Sequence, residues 1–106
     1  MKNYKTFQDL QFKPWLDETK YTVPELIREQ YEDAYQAIIT FDNGYGASIL
    51  SGKMFYSDGY NTYEIACLDK DGHLCYPENS SFSDDVCGYC TPEEINQLLK
   101  EIQDFV

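Results

Sequence analysis

Four cysteines are the side chains of this 106-residue chain best suited to chemistry, and all lie in its second half. Cys87 and Cys90 form a C-x-x-C motif, whereas seven residues separate Cys67 from Cys75. Four thiolates can bind a tetrahedral zinc ion, but the wide spacing of the first pair departs from that of zinc ribbons and fingers. A disulfide framework is typical of secreted proteins. We expect the cysteines to serve mainly as small buried apolar side chains, with zinc binding and a redox or disulfide role as the alternatives.

Other residues typical of active sites occur without the partners that they need. His73 is the only histidine, and no evident group would orient it toward Cys75 or Cys87 as a catalytic base. Aspartates in the Asp69–Gly72 segment offer oxygens to a divalent cation, yet the twelfth residue of a calcium loop beginning there is Ser80 and not glutamate. The segment is therefore interpreted as a turn. We predict a protein that is not an enzyme and has neither a metal nor another cofactor.

A β-hairpin is the strongest local signal among the elements that must position these residues. Residues 34–50 contain two β-prone runs on either side of Asn43-Gly44. Because Asn-Gly favours the positive φ angles of a type I′ turn, a tight two-residue turn is predicted there. Alternation assigns one face of the first strand to the core and gives the other a mixed character. The residues expected on the core face are Tyr35, Ala37, Ile39 and Phe41.

A second hairpin is predicted between residues 60 and 76. Its three-residue loop would place Gly72 in the left-handed position. In that register Cys67 lies directly opposite Cys75. The pairing explains the spacing of these two cysteines without a metal.

The C-terminal segment carries the clearest helix signal. Thr91 is an N-cap residue, Pro92 suits the first helical position, and Glu94 completes a capping box. Apolar residues at helical spacing follow and predict one buried stripe. They are Ile95, Leu98, Leu99, Ile102 and Phe105. We expect the helix to pack on one face of the sheet.

Weaker signals complete the expected fold. A shorter helix is predicted within 23–31, and an edge strand or an arm anchored by aromatic side chains within 3–15. The whole pattern predicts an α+β fold: a mostly antiparallel sheet of about four strands, built from two hairpins, with the C-terminal helix packed on one face. Because no linker marks a boundary, residues 1–106 are expected to form a single domain.

The charge of the chain is strongly uneven. Nineteen Asp and Glu against eight Lys and Arg give a formal net charge of -11. Residues 1–53 contribute -2 and residues 54–106 contribute -9. Direct binding to nucleic acid or to an anionic membrane requires a basic surface, so both are excluded as partners. The sequence contains no run of signal-peptide or membrane-span length, and a cytoplasmic location is expected.

Acidic and aromatic side chains of the second half form the candidate surface for a protein partner. Its residues are Asp69, Asp71, Glu78, Asp84, Asp85, Glu93, Glu94, Tyr76 and Tyr89. Surface carboxylates mostly keep a small protein soluble, and those at a helix start also complement the helix dipole. The sharper hypothesis is that they imitate the phosphates of a nucleic acid and occupy a basic groove. Tyrosines would add cation–π contacts to arginine and lysine.

Several segments resemble a family of small proteins from phages and prophages of Gram-positive bacteria. The most specific is Phe41–Ser48, F-D-N-G-Y-G-A-S, and residues 4–12, 63–68, 74–76 and 84–91 followed by an amphipathic helix are also similar. The resemblance covers most of the chain. Departures occur at the two C-x-x-C cysteines, where the family pattern has aliphatic residues, and between residues 17 and 33, where it has a short glycine-containing link.

The resemblance implies a source in a phage and a location in the bacterial host cell, without implying a mechanism. Small acidic phage proteins are similar, as a class, to inhibitors of bacterial defence such as anti-CRISPR and anti-restriction proteins, several of which mimic nucleic acid. The expected partner is a host protein with a basic nucleic-acid-binding groove, a CRISPR effector nuclease above all. The alternatives are a homo-oligomeric structural or regulatory phage protein, such as a homodimer, and a small zinc-binding protein.

Overall fold

Strands that are consecutive along the chain are also neighbours in the sheet. The computed structural model describes residues 3–19 and 22–106. Five antiparallel strands lie in the order β1-β2-β3-β4-β5. They are β1 (Lys13–Pro14), β2 (Tyr35–Thr40), β3 (Gly46–Ser51), β4 (Tyr63–Leu68) and β5 (Cys87–Cys90). The α+β fold is thereby confirmed, with five strands instead of about four.

The described residues also form three α-helices and two short 3-10 turns beside the sheet. The helices are α1 (Trp15–Glu18), α2 (Glu25–Arg28) and α3 (Pro92–Gln103), and the 3-10 turns are Phe7–Asp9 and Glu29–Tyr31. The predicted helix within 23–31 is therefore present as α2 and the turn after it. Segment 3–14 is both an arm and an edge strand. β1 pairs with the first residues of β2, and the aromatic rings that precede β1 pack against the hydrophobic core.

The first hairpin forms as predicted, but its turn differs from the type I′ prediction. Phe41 N–H donates to the carbonyl oxygen of Tyr45 at 2.8 Å, which leaves a three-residue loop between them. Gly44 has a φ of +92°, whereas Asn43 does not adopt a positive φ. The reason is tertiary: the Asn43 amide nitrogen donates to the carbonyl oxygens of Ile102 (2.9 Å) and Phe105 (3.1 Å) at the end of α3.

The second hairpin keeps its predicted loop but loses most of its second strand. Gly72 has a φ of +81°, and the Cys75 N–H donates to the Cys67 carbonyl at 3.0 Å, as the predicted register requires. Leu74 forms a single bridge with Leu68. The rest of that edge of β4 is taken by β5, the C-x-x-C segment, which the sequence had not indicated as a strand.

α3 begins and packs as predicted. The Glu94 N–H donates to the Thr91 hydroxyl at 3.3 Å, and the Thr91 N–H donates to the Glu94 carboxylate at 3.0 Å. Apolar side chains from α3, the sheet and the 77–86 loop are fully buried together and form the core. The largest of them are Phe82, Ile49, Ile65, Ile95, Leu99 and Ile102. The opposite face of the sheet carries the half-exposed Ile38, and no long helix formed by residues 3–19 or 22–106 packs there.

Candidate functional site

The loop after β4 holds the first pair of candidate carboxylates in a fixed geometry. The Asp69 carboxylate accepts hydrogen bonds from the N–H groups of Asp71 (2.9 Å) and His73 (3.0 Å). These bonds, that from His73 first, hold the pKa of Asp69 below its usual value. Ligand atoms of Asp69, Asp71 and His73 lie within 4.8 Å of one another. The predicted turn is confirmed, with Asp69 as its internal acceptor and the exposed Asp71 beside it.

A second pair of carboxylates, Asp84 and Asp85, stands at the end of the 77–86 loop. Both are exposed, and the Asp85 carboxylate accepts a hydrogen bond from the Val86 N–H at 2.7 Å. The Phe82 side chain of this loop is fully buried in the core and thereby holds the loop against it. The Ser81 N–H also donates to the Glu101 carboxylate of α3 at 2.8 Å. Two anchors therefore fix the stretch of chain that presents Asp84 and Asp85.

Three further glutamates lie in the first turn of α3 and in the 77–86 loop. Glu78, Glu93 and Glu94 are all exposed. Glu94 already serves the capping box, because its carboxylate accepts from both the N–H and the hydroxyl of Thr91. Glu93 stands beside it in the first helical turn and complements the helix dipole, and its carboxylate accepts no hydrogen bond from another described residue. The helix start therefore fixes one of these carboxylates and leaves a second available.

Both candidate tyrosines are partly exposed, and one of them is held by an irregular backbone. Tyr76 is 45% and Tyr89 is 59% exposed. Tyr89 has a φ of 54°, and its N–H donates to the Tyr56 carbonyl at 2.8 Å where the pairing of β4 with β5 shifts register. The rings of Tyr56 and Tyr89 lie 6.4 Å apart. Tyr56, which is 56% exposed, thus joins this surface.

The hydrogen bonds and ring contacts of the candidate residues stay within small local groups. Close contacts occur inside the Asp69–His73 loop, between Asp85 and its neighbour Val86, within the α3 cap, and between Tyr89 and Tyr56. No hydrogen bond or ring contact links one of these groups to another among residues 3–19 and 22–106. The hydrogen bonds and ring contacts of the candidate residues are therefore local, and each holds its side chains independently of the others.

The four thiols pack mainly as apolar side chains. Cys67 and Cys90 are 1% and 5% exposed, and Cys75 and Cys87 are half-buried. Burial raises the pKa of the Cys90 thiol to about 11 and also raises the pKa values of Cys67 and Cys87. The thiols of these three residues therefore stay protonated and weakly nucleophilic at neutral pH.

The thiols also do not form the tetrahedral set that the zinc alternative requires. Cys67 and Cys75 sulfurs contact each other, whereas the Cys87 sulfur donates to the Ser81 carbonyl and the Cys90 sulfur to the Gly88 carbonyl. Within the described part of the chain, the only group of three metal-ligand side chains is the aspartate and histidine loop after β4. The zinc alternative therefore has no support from the arrangement of the cysteines.

Comparison with the models of protein families, with curated proteins and with solved structures finds no match. None of the helices formed by the described residues is long and apolar enough to cross a bilayer. Function therefore has to be inferred from the surface itself.

Proposed function

We propose that this chain is a non-enzymatic phage or mobile-element protein that binds and inhibits a host nucleic-acid-handling defence protein, with a CRISPR effector nuclease as the favoured target. The contact is made by carboxylates and tyrosines of the second half. One observation carries the proposal: residues 54–106 hold a charge of -9, and their exposed carboxylates have few partners of their own.

Two kinds of carboxylate support this proposal. Asp71, Glu78, Asp84 and Glu93 are exposed and make no side-chain hydrogen bond with another residue of the described ranges. Asp69, Asp85 and Glu94 each use carboxylate oxygens to accept bonds from nearby N–H groups, which hold these side chains in place. Carboxylates that are already ordered lose less conformational entropy on binding, so arginine and lysine of a groove can form charge-assisted hydrogen bonds with them at lower cost.

Basic residues that would neutralise these carboxylates within the chain are few. Residues 54–106 contain only Lys70 and Lys100. The Lys100 ammonium lies 5.5 Å from the centre of the Tyr4 ring, and the Lys70 stem lies beside Gly44 in the first hairpin turn. The negative field of the second half is therefore left for a basic partner, which it would also steer during the encounter.

Competition with nucleic acid tests the proposal most directly. A purified CRISPR effector nuclease is titrated with the chain, free and after saturation with its guide RNA and DNA, over a range of salt concentrations. We expect binding to the free nuclease alone. Its affinity should fall as salt rises, because binding releases counterions from the partner's basic groove and this release is less favourable at high salt. Undiminished binding to the saturated nuclease would contradict mimicry.

A matched pair of variants separates a surface effect from a net-charge effect. The test variant carries Asp69→Asn, Asp71→Asn, Asp84→Asn and Asp85→Asn, and asparagine keeps the oxygen that accepts the turn bonds. The control carries Asp17→Asn, Glu25→Gln, Glu29→Gln and Glu32→Gln, which are exposed residues of the first half. Both changes remove the same charge. We expect at least a tenfold loss of affinity in the test variant and a much smaller loss in the control; equal losses would assign binding to net charge alone.

Self-association through the open face of the sheet is the second candidate function. Ile38 is 62% and Leu74 is 54% exposed, and both line one shallow groove of about 450 Å³ with Leu68. A homo-oligomeric structural or regulatory phage protein would bury this apolar groove. Sizing at several protein concentrations tests it: a mass that rises with concentration in the native chain and stays monomeric in Ile38→Glu supports self-association, and a constant monomer mass contradicts it.

A further inference from the structure

The geometry points to a reversible cross-strand disulfide between Cys67 and Cys75, formed when the chain meets a low-molecular-weight disulfide such as oxidised glutathione. This makes the pair an oxidative modification site. The inference is independent of the proposed function, since it concerns how the loop after β4 is held and not what that loop binds.

The two sulfur atoms already face each other. The Cys75 thiol donates to the Cys67 sulfur at an Sγ–Sγ distance of 3.2 Å, and a disulfide bond of about 2.0 Å requires the atoms to move roughly 1 Å closer. The Cys75 N–H also donates to the Cys67 carbonyl at 3.0 Å. Antiparallel residues opposite each other in this way have Cα atoms about 5.5 Å apart, which is within the range of disulfides, about 4.4–6.8 Å. The bond needs little movement of the backbone.

The C-x-x-C motif, where sequence alone would look for redox chemistry, is arranged differently. Cys87 and Cys90 lie on the same strand, on either side of the register shift and of Tyr89, the residue with positive φ. Their thiols donate to two different carbonyl groups, those of Ser81 (3.4 Å) and Gly88 (3.6 Å). The structure thus favours disulfide formation between Cys67 and Cys75 over disulfide formation within the C-x-x-C motif.

Burial sets the order of the exchange reaction. Cys75 is half-buried and Cys67 is 1% exposed, so the reagent reaches Cys75 first. The Cys75 thiolate attacks one sulfur of the small disulfide, whose S–S bond breaks and releases one thiolate. Cys67, whose thiol is protonated at neutral pH but held against the Cys75 sulfur, gives up its proton to the base of the alkaline buffer and attacks the Cys75 sulfur of the mixed disulfide, which releases the second thiolate. The two cysteines give up two protons and two electrons, and the reagent is reduced to two thiols.

The bond would fasten a part of the fold that is weakly held in the reduced chain. The return segment 73–76 pairs with β4 through the single Leu68–Leu74 bridge and the hydrogen bonds beside it. A Cys67–Cys75 bond closes residues 67–75 into a covalent loop. The loop contains Asp69 and Asp71, so oxidation would restrict their movement.

Tryptic peptides distinguish the two possible disulfides. Trypsin cleaves after Lys53, Lys70 and Lys100, which places Cys67 in the peptide 54–70 and the other three cysteines in the peptide 71–100. The full chain is incubated with oxidised glutathione in mildly alkaline buffer, alkylated, digested and analysed by mass spectrometry. We expect the two peptides to be joined, and the intact chain to lose the mass of two hydrogen atoms and keep two alkylatable thiols. Separate peptides with a Cys87–Cys90 bond, or four free thiols, would overturn the inference.

Single variants identify the partner of Cys67. Cys75→Ser, at a half-buried position, should abolish the link between the peptides. Cys87→Ser should leave the link unchanged and serves as the matched control. Because Cys67 is in the core, Cys67→Ala is used only after circular dichroism shows a native fold. A link that survives in Cys75→Ser would contradict the assignment, as would its loss in Cys87→Ser, and addition of a reductant should break the wild-type link.

Discussion

At the scale of the residue, Asn43 joins two elements that are distant in sequence. Its amide nitrogen donates to the carbonyl oxygens of Ile102 and Phe105, and its amide oxygen accepts from the Tyr45 N–H at 3.0 Å. The carbonyls at the end of a helix have no partners within the helix. One side chain therefore satisfies the end of α3 and shapes the first hairpin turn.

Replacing Asn43 should destabilise the fold more than replacing a half-buried polar residue usually does. We expect Asn43→Ala to lower the free energy of unfolding by about 2 kcal/mol, because three hydrogen bonds are lost and their backbone partners are left without it. Urea denaturation measures the change. Asn61→Ala, at an exposed position, is the control and should stay within about 0.5 kcal/mol of the native chain. Equal effects of the two substitutions would show that the contact of Asn43 with α3 adds nothing to the free energy of unfolding.

Asp58 controls a turn through its ionised form. Its carboxylate accepts from the N–H groups of Tyr60, Asn61 and Thr62. These bonds, that from Tyr60 first, lower the pKa of Asp58 from 3.8 to about 2. Because the pKa of Asp58 is lower in the folded chain than in the unfolded chain, the ionised carboxylate stabilises the fold at pH values above the pKa of the unfolded chain. This stabilisation is lost as the pH falls through the lower pKa of the folded chain.

The resulting pH dependence is measurable. The stability of the native chain relative to Asp58→Asn should be constant above about pH 5 and should decline between about pH 4 and pH 2. Thermal unfolding across that range detects the decline, and the NMR shift of the Asp58 carboxyl carbon measures the pKa directly. A midpoint near the ordinary value of 3.8 would contradict the role assigned to the three N–H donors.

At the scale of the element, the N-terminal arm depends on polar side chains of α3. Gln103, which is 7% exposed, accepts from the Lys5 N–H at 2.8 Å and donates to the Lys5 carbonyl at 2.9 Å. Asn96 accepts from the Phe7 N–H at 2.7 Å, and the Phe7 ring packs 5.1 Å from that of Tyr63. The arm is thus held on the helix by its hydrogen bonds with Gln103 and Asn96 and by the bond from the Tyr4 hydroxyl to the Asp104 carboxylate at 2.6 Å, and on the sheet by aromatic packing.

Removing the first of these ties should loosen the arm locally. We expect Gln103→Leu, which keeps the volume of the side chain, to speed amide hydrogen exchange at Lys5 by about tenfold. The Phe7 amide is the internal control, because Asn96 still holds it. Hydrogen exchange followed by NMR resolves the two positions. An unchanged Lys5 exchange rate would show that the Gln103 hydrogen bonds do not protect this part of the arm.

Element by element, the sequence signals succeeded where they were local. The capping box of α3 and the glycine of the second loop depend on residues within a few positions, and both are confirmed. The sequence does not predict β5, because the segment Cys87–Cys90 is short, contains a glycine and has the pattern of a C-x-x-C motif. Its strand character comes from pairing with β4, more than twenty positions away in sequence. The turn type at Asn43 was wrong for the same reason, since α3 determines it.

At the scale of the whole molecule, the charge of -11 opposes compaction. Salt screens repulsion between exposed carboxylates, so the unfolding temperature should rise as salt increases from low to physiological concentration. The rise should be smaller in the variant with Asp69, Asp71, Asp84 and Asp85 changed to asparagine. Differential scanning calorimetry in sodium chloride measures both. An unfolding temperature that is independent of salt would show that the charges are too widely spread to repel one another.

The sequence by itself determined the α+β class, the two hairpins, the capped helix, the opposition of Cys67 to Cys75 and the concentration of charge in the second half. Each follows from turn chemistry, periodicity or composition, which act over short distances along the chain. Only the tertiary structure decided the fifth strand, the three-residue turn at Asn43 and the exposure of Tyr89 beside Tyr56. These depend on contacts between distant residues, whose pairing no local pattern specifies.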